Sequence, residues 1–412
     1  MLRMTRRQFG EAALVLCVAM RRLWAAPSID DVLREGIRAR KIPAVVGMVA
    51  STDKALYSGA FGERDSSSGM PVTTDSIFFI ASMTKAITSV AAMQLVERGK
   101  VKLDEPVAKH LPQLARLDVL SGFDPSTGKP VLRPATRPVT LRQLMSHTSG
   151  FVYDIWEETM FRYTSQNPTP PADQNGPVTP LAFEPGTRWQ YGTGVDWTGR
   201  LVERLSGWTL EEYFQRNIFQ PLGMIDTSFI MPAAKFDRMV SNYHRQADGV
   251  LKDDERTLPV PPKFYNGGGG LNSTAGDYVR FMQMILRKGR GPDGRRILRE
   301  QSVKEMAANQ TGNARAGVMK SFRPGVSADV DLHPGAIDRY GLGFLINTES
   351  YNGGRSAGSL AWAGIANTFF WIDPKHNLCA TLMMQYFPFA DKEAVGLLGD
   401  FERAVYAAFS RA

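Results

Sequence analysis

The β-rich segments of this chain lie near its two ends, and a segment of different character separates them. Short apolar runs typical of strands occupy 44–50, 55–61, 340–346, 359–362, 368–372 and 378–384. Segments with helical periodicity at 28–40 and 391–409 flank these runs and predict terminal helices. Strands so far apart in sequence bury their apolar faces most simply in one shared sheet. We therefore expect an α/β sandwich, with one antiparallel sheet covered by the two terminal helices.

Between these ends, helical patterns alternate with long connections rich in proline and glycine. Thr209 and Glu212 form a capping-box pattern at the start of one predicted helix. The stretch 151–185 is irregular, aromatic and proline-rich, and a connection of this length is usually functional or partly disordered. We predict that 106–338 is a mostly helical domain inserted into a sandwich domain formed by 27–105 and 339–412.

The first 26 residues have the composition of an export signal. Arg6 and Arg7 precede an apolar segment at 12–20, a pattern that resembles a twin-arginine signal. This segment holds five arginines and one glutamate, and so contributes +4 of the net charge of +8. We expect a periplasmic or secreted protein, with a cytoplasmic location as the alternative.

The remaining composition excludes several classes of function. The two cysteines, Cys17 and Cys379, do not make a disulfide framework. The sequence contains no metal-binding spacing such as H-E-x-x-H or C-x-x-C, and no glycine-rich nucleotide motif. It has no basic run interleaved with aromatic residues, and no apolar run long enough to span a bilayer. We therefore expect no metal, no cofactor, no nucleic-acid partner and no stable membrane anchor.

The stretch 79–85 carries the main catalytic pattern. An apolar run at 77–81 ends at Ser82, and a helical pattern follows. Lys85 comes three residues later, so both side chains lie on one side of that helix, with Ser82 at its N-terminus. A lysine made neutral by burial can accept the hydroxyl proton, and the helix end stabilises the resulting anion. The alternative is a capping serine followed by a solvated lysine.

A second serine competes with Ser82. Residues 354–358 match G-x-S-x-G, the pattern of the α/β-hydrolase nucleophile elbow, with Ser356 at the centre. That motif requires a strand, a sharp turn and a helix, with an acid and a histidine later in the chain. Here a glycine-rich loop leads into a β-like run, and the downstream partners, Asp373 and His376, share one tight turn. We interpret 354–358 as a hairpin loop.

Two distant segments favour Ser82. Tyr191 follows a turn at 185–186 and precedes a helix, where its phenol can point into a cleft. Trp362 and Gly364 fall on a late strand, whose edge can present a backbone N–H to an oxyanion. Taken singly, Tyr191 and Trp362 have an ordinary interpretation as packed core aromatics. Together with Ser82 and Lys85 they indicate a site.

In this order and at these separations, Ser82-x-x-Lys85, Tyr191-x-x and Trp362-Ala363-Gly364 resemble the serine β-lactamase and DD-peptidase superfamily. Within it, the chain is most similar to family VIII carboxylesterases, relatives of class C β-lactamases. The resemblance covers nearly all of the chain after residue 26. It implies the β-lactamase/DD-peptidase-like fold, with a mostly helical domain inserted in the sandwich, and a serine acyl-enzyme mechanism.

The resemblance also implies a role for each site residue. Ser82 attacks an ester carbonyl, Lys85 and Tyr191 share the general-base work, and Tyr191 passes a proton to the leaving alcohol. Which of the two is the base stays open, because their titrations are coupled. The backbone N–H groups of Ser82 and Ile365 form the implied oxyanion hole, beside Gly364.

Two departures from class C β-lactamases bear on the substrate. Thr193 replaces their asparagine, which contacts the β-lactam side chain, and Trp362 replaces the lysine that binds the drug's carboxylate. A neutral indole cannot supply that charge. We expect a carboxylesterase for small, uncharged, short-chain esters, with weak β-lactam hydrolysis left open. The alternatives are a class C-type β-lactamase or DD-peptidase, and a non-catalytic penicillin-binding protein; no oligomeric state is indicated.

Overall fold

The structure is a computed structural model that describes residues 27–168, 178–246 and 248–409. The predicted export signal at 1–26 therefore lies outside the described residues. The α-helices, in chain order, are α1 (Ile29–Arg40), α2 (Thr84–Glu97), α3 (Leu141–Met145), α4 (Glu158–Gln166), α5 (Gly194–Ser206), α6 (Leu210–Phe214), α7 (Gln220–Leu222), α8 (Ala275–Leu286), α9 (Glu300–Ala307) and α10 (Lys392–Phe409). The strands are β1 (Ala44–Ala50), β2 (Ala55–Gly62), β3 (Phe78–Phe79), β4 (Asp118–Phe123), β5 (Pro130–Pro134), β6 (Tyr243–Arg245), β7 (Leu251–Asp253), β8 (Asn272–Ser273), β9 (Arg339–Tyr340), β10 (Leu345–Ile346), β11 (Leu360–Gly364), β12 (Thr368–Asp373), β13 (Leu378–Met383) and β14 (Tyr386–Phe387).

Strands from both ends of the chain share one antiparallel sheet. The seven strands lie in the order β2-β1-β13-β12-β11-β10-β9. The N-terminal β1 pairs with the C-terminal β13, and the register places Val46 opposite Met383. The predicted sheet, built from the two ends of the chain around an inserted helical region, is therefore confirmed.

The terminal helices α1 and α10 pack on each other beside this sheet. Ser28 caps α1, since its side chain accepts from the Asp31 N–H and Asp31 returns the bond. Leu33 of α1 and Phe401 of α10 both reach Gly47 on β1, where a β-carbon would stand about 3.0 Å from each. Glycine at this position lets the two helices lie close against the strand.

Helices α2 and α8 connect the sheet to the inserted region. Helix α8 packs on β1, β12 and β13, and its Tyr278 hydroxyl donates to the Met83 carbonyl over 3.0 Å. Helix α2 packs against α5 and is buried on nearly every side from Thr84 to Leu95. The tertiary structure therefore encloses this helix between neighbours and does not leave one side of it to solvent.

The inserted region contains more regular structure than its composition indicated. Within 151–185, which was expected to be irregular, residues 158–166 form α4. The capping box of Thr209 and Glu212 at the start of α6 is confirmed. Among the described residues, no helix combines the length and the apolar character needed to cross a bilayer.

Candidate active site

Ser82 lies in a tight turn between β3 and α2. The turn is anchored by the pairing of β3 with β8 and by the Ile80 N–H, which donates to the Leu271 carbonyl over 3.0 Å. Ala81 has a φ of +42°, a region that residues with a β-carbon rarely occupy. Because α2 begins at Thr84, Ser82 lies in a single 3₁₀ turn just before the helix and is not the capping residue of the alternative interpretation. It is half-buried and borders a cavity.

The Lys85 amine is buried and has three polar neighbours, none of which is a carboxylate. Its Nζ lies 3.1 Å from Ser82 Oγ, 3.1 Å from Tyr153 Oη and 2.5 Å from the Gly268 carbonyl oxygen. A neutral amine has two protons to donate and one lone pair to accept with. Such an amine can donate to Tyr153 and Gly268 while it accepts the Ser82 proton.

Tyr153 is the site residue that sequence reasoning missed. Its hydroxyl contacts Lys85 Nζ, and its backbone N–H donates to the Tyr191 carbonyl over 3.2 Å. Burial raises the pKa of Tyr153 well above its ordinary value, and the nearby Asp196 carboxylate adds to this, so the phenol stays neutral. No spacing rule connects an aromatic residue in an irregular stretch to Lys85. The available signal was the stretch 144–150, which also resembles the superfamily and ends three residues before Tyr153.

Tyr191 and Trp362 both line the cavity and contact each other. The Trp362 Nε1–H donates to Tyr191 Oη over 3.1 Å, and the ring centroids lie 4.8 Å apart. Lys85 Nζ lies 4.8 Å from the centroid of the Tyr191 ring, within cation–π range. The phenol hydrogen-bonded to Lys85 is thus that of Tyr153, whereas Tyr191 is hydrogen-bonded to Trp362. The general-base role assigned to Tyr191 stays a prediction.

The end of β11 lies against the turn that holds Ser82. Gly364 is packed so closely there that a β-carbon would collide with the Ile80 carbonyl. The next residue, Ile365, lines the same cavity as Ser82, so both predicted oxyanion donors border one space. Thr193 precedes α5 and is not part of the cavity lining.

The cavity beside Ser82 is narrow and mostly apolar. Its open volume is about 20 Å³, which is room for roughly one water molecule. The residues that line it are Ser82, Trp156, Tyr191, Gly317, Met319, Val330, Leu332, Leu345, Trp362, Ala363, Ile365 and Phe389. None of them carries a formal charge, so the lining favours an uncharged apolar group and offers no ion-pair partner to a carboxylate.

Ser356, Asp373 and His376 also come together, which the hairpin interpretation did not predict. Ser356 Oγ lies 2.8 Å from His376 Nδ1, and Asp373 Oδ2 lies 2.9 Å from the same nitrogen. A hydrolytic triad places the acid on one ring nitrogen and the serine on the other. Here both groups lie on Nδ1, and an Nδ1–H that donates to the carboxylate leaves this nitrogen with no lone pair to take the Ser356 proton. The segment after Ser356 is the strand β11 rather than a helix, and the elbow is absent.

Neither a metal site nor a reactive cysteine is indicated among the described residues. Among the side chains that the structure describes, no group of three or more His, Cys, Asp and Glu residues is arranged to hold a metal ion. Cys379 is a free thiol buried on β13, and burial raises its pKa far above the ordinary value. A thiol in that environment is a poor nucleophile.

Comparisons with known proteins assign the family. The beta-lactamase family model matches residues 29–402. The monacolin J acid methylbutanoyltransferase of Aspergillus terreus is 32% identical over 93% of this chain and 96% of its own. The lovastatin esterase of Penicillium rubens is 33% identical over 87% of this chain and 92% of its own. The chain belongs to the beta-lactamase family, and with these relatives it is a serine hydrolase or acyltransferase.

Solved structures agree with this assignment. A mutant simvastatin synthase from Aspergillus terreus superposes with a TM-score of 0.81 at 30% identity, over 93% of this chain and 97% of its own. EstCE1, a hydrolase with promiscuous acyltransferase activity, has a TM-score of 0.70 at 20% identity, over 92% and 97% of the two chains. At that identity, EstCE1 supports the fold alone. The resemblance to the β-lactamase superfamily and its family VIII esterases is confirmed, as is the fold that it implied.

Proposed function

We propose that this protein is a carboxylesterase that hydrolyses small, uncharged, short-chain esters through an acyl-enzyme on Ser82. The observation that carries the proposal is the 3.1 Å separation of Lys85 Nζ and Ser82 Oγ, in a pocket where the other neighbours of the amine are uncharged oxygens. An amine whose hydrogen-bond partners are all uncharged can accept the serine proton.

In the first half-reaction, Ser82 Oγ bonds to the ester carbonyl carbon while its proton moves to Lys85 Nζ. The carbonyl electrons shift to the oxygen, which the N–H groups of Ser82 and Ile365 stabilise. The bond to the alcohol oxygen then breaks, and the alcohol leaves with a proton that returns from Lys85 through the Tyr191 hydroxyl. The products are the free alcohol and acyl-Ser82.

In the second half-reaction, a water molecule attacks the acyl carbonyl and gives its proton to the same pair of groups. Ser82 regains its proton as the carboxylic acid departs. The neutral, apolar lining of the cavity supports an acyl group that is itself uncharged and apolar. Its small volume supports a short chain in preference to a long one.

Acyl transfer is the second candidate function. The related protein named as a monacolin J acid methylbutanoyltransferase supports it. In that reaction an alcohol replaces water as the attacking group, and the product is a new ester. The two functions share the acyl-Ser82 intermediate and differ only in the acceptor.

Turnover of p-nitrophenyl acetate, butyrate and palmitate tests the proposal, with fluorophosphonate labelling and peptide mapping to locate the nucleophile. We expect label on Ser82 and a kcat/KM for acetate and butyrate above that for palmitate. Addition of a small primary alcohol measures transfer as the yield of new ester. Label on Ser356 in place of Ser82 would contradict the assignment.

Weak β-lactam hydrolysis remains part of the proposal. Trp362 stands where class C β-lactamases have a lysine, and its indole N–H is already engaged with Tyr191. We expect nitrocefin turnover below ester turnover for this reason. Nitrocefin or D-Ala-D-Ala turnover above that of the esters would favour the β-lactamase or DD-peptidase alternative, and a persistent Ser82 adduct without turnover would favour a penicillin-binding protein.

A further inference from the structure

A histidine lies behind Tyr191 without lining the cavity. His147 follows α3, is 1% exposed and has a φ of +58°. A non-glycine residue adopts this backbone conformation at a cost in free energy, so contacts of the buried His147 with its surroundings must offset that cost. The mechanism proposed above does not use it.

His147 holds the backbone on both sides of Tyr191. The Gln190 N–H donates to the His147 carbonyl over 3.0 Å, and the Gly192 N–H donates to His147 Nδ1 over 3.3 Å. The imidazole also packs edge-on against the Tyr191 ring, with centroids 4.7 Å apart. One residue therefore contacts the tyrosine ring and binds both neighbouring amides.

The hydrogen bond from the Gly192 N–H determines the tautomer and the protonation state of the His147 imidazole. Because Nδ1 accepts a hydrogen bond from the Gly192 N–H, the hydrogen of the neutral ring is on Nε2, and a second proton on Nδ1 would place N–H against N–H. The groups that face the ring are the neutral aromatic side chains of Tyr191, Tyr340 and Trp189, together with the Lys85 amine. Burial, and then the nearby Lys85, lower the pKa of His147 well below its ordinary value. The ring thus remains an acceptor across the neutral range.

The geometry points to His147 as a positioning residue that fixes the Tyr191 hydroxyl in the cavity through its Nδ1 acceptor. This inference rests on the proposed function, in which Tyr191 passes a proton to the leaving alcohol. Displacement of a reacting group by about 1 Å costs roughly a hundredfold in rate. A residue that touches no substrate can therefore control turnover through the Tyr191 backbone.

The test compares three substitutions at one position. The side-chain oxygen of asparagine falls near the place of Nδ1, whereas glutamine reaches toward Nε2 and leucine has no acceptor. We expect His147→Asn to keep kcat for p-nitrophenyl butyrate within about threefold, and His147→Gln and His147→Leu to lower it about tenfold or more, with KM within about threefold. If His147 only fills space, leucine will outperform the smaller asparagine, and that ranking overturns the inference.

A double-mutant cycle separates positioning from backbone strain, since asparagine also tolerates a positive φ well. In a Tyr191→Phe background, His147→Gln should change kcat by less than about twofold, because the hydroxyl that it positions is gone. A loss as large as in the wild-type background would mean that His147 acts elsewhere, and overturns the inference. Fluorophosphonate labelling of Ser82 in wild type reports a competent nucleophile independently, so an inactive wild type that still labels would instead contradict the proposed ester substrate.

The wild-type protein supplies a test that needs no stable variant. Selective ¹⁵N-histidine labelling resolves the five histidines by NMR, and His147 should show the neutral Nε2–H form from pH 8 down to at least about pH 5. Spectra in which every histidine either protonates in that range or carries its hydrogen on Nδ1 would overturn the assignment.

Discussion

Among the residues that the structure describes, Ser82 and Ser356 each contact a basic side chain, but Ser82 alone of this pair has the surroundings of a nucleophile. Ser82 borders a cavity and faces Lys85 Nζ, whose other neighbours are neutral oxygens. Ser356 is 2% exposed and faces a His376 nitrogen that already serves Asp373. Contact with a base is therefore not sufficient to make a serine a nucleophile. The base needs a free lone pair, and the serine needs space for a substrate.

The second cluster joins elements of the sandwich instead. Asp373, at the end of β12, accepts hydrogen bonds from the Ser356 N–H, from His376 and from the Tyr406 hydroxyl of α10. Its side chain is fully enclosed. This carboxylate links the loop before β11, the turn before β13 and the C-terminal helix. We interpret the Ser356 cluster as a structural junction.

The most direct test of this difference is to remove the Ser82 hydroxyl and the Ser356 hydroxyl in separate variants. Ser82→Ala should lower kcat for p-nitrophenyl butyrate by at least about 10³-fold, since the proposed acyl-enzyme forms on the Ser82 hydroxyl oxygen. Ser356→Ala should leave it within about twofold. Steady-state kinetics on the two purified variants decide the matter, and the reverse pattern would assign the chemistry to Ser356.

The second test replaces the basic residue next to each serine, Lys85 beside Ser82 and His376 beside Ser356. Lys85→Arg replaces the amine with a guanidinium that has no lone pair to take a proton, so kcat should fall about 10²- to 10⁴-fold. His376→Gln should change kcat by less than about twofold, because His376 Nδ1 is committed to Asp373. Substantial esterase activity in Lys85→Arg would rule out Lys85 as the proton acceptor.

The Ser356 cluster should matter for the stability of the fold and not for the rate of ester hydrolysis. Asp373→Asn should lower the free energy of unfolding by about 1–3 kcal/mol, because several enclosed donors lose a charged acceptor. Burial alone would raise the pKa of Asp373, but the hydrogen bonds from Ser356, His376 and Tyr406 outweigh it, and the folded-state pKa is lowered. The carboxylate therefore stabilises the fold above about pH 4, and that contribution disappears as pH falls toward the folded-state pKa.

Urea unfolding of wild type and Asp373→Asn from pH 7 down to pH 3 measures this difference. The gap between the two proteins should narrow below about pH 4, while kcat of the folded variant stays near that of wild type. A gap that widens toward acid pH would show that Asp373 is not the stabilising charge.

The smallest expected effect concerns the space beside Ser82. Met319 lines the cavity, whereas its neighbour Val318 is 42% exposed. Met319→Ala should raise the ratio of p-nitrophenyl hexanoate to acetate kcat/KM by about three- to tenfold, since added cavity volume admits further methylenes. Val318→Ala is the matched control and should leave the ratio unchanged. Equal ratios in both variants would place the acyl chain elsewhere.

Local pattern predicted much of the fold. The strands β1 and β2 and the capping box at Thr209 follow from alternation, turn residues and capping chemistry within a few positions. The site was predicted in part. Lys85 was paired with Ser82 by spacing, but Tyr153 has no distinguishing spacing, and the ordered helix α4 was hidden by a proline-rich context.

What the sequence by itself determined is the terminal helices and the strands of the main sheet, the i, i+3 placement of Ser82 and Lys85, and the family. Only the tertiary structure decided that Lys85 is buried among uncharged oxygens, with its Gly268 contact 183 residues away. It also decided that Trp362 binds Tyr191 across 171 residues, and that Asp373 occupies the one nitrogen that Ser356 faces. Helix and strand patterns arise from residues that are neighbours in sequence. Desolvation and the choice of hydrogen-bond partner depend on segments that are far apart in sequence and come together only in the folded chain.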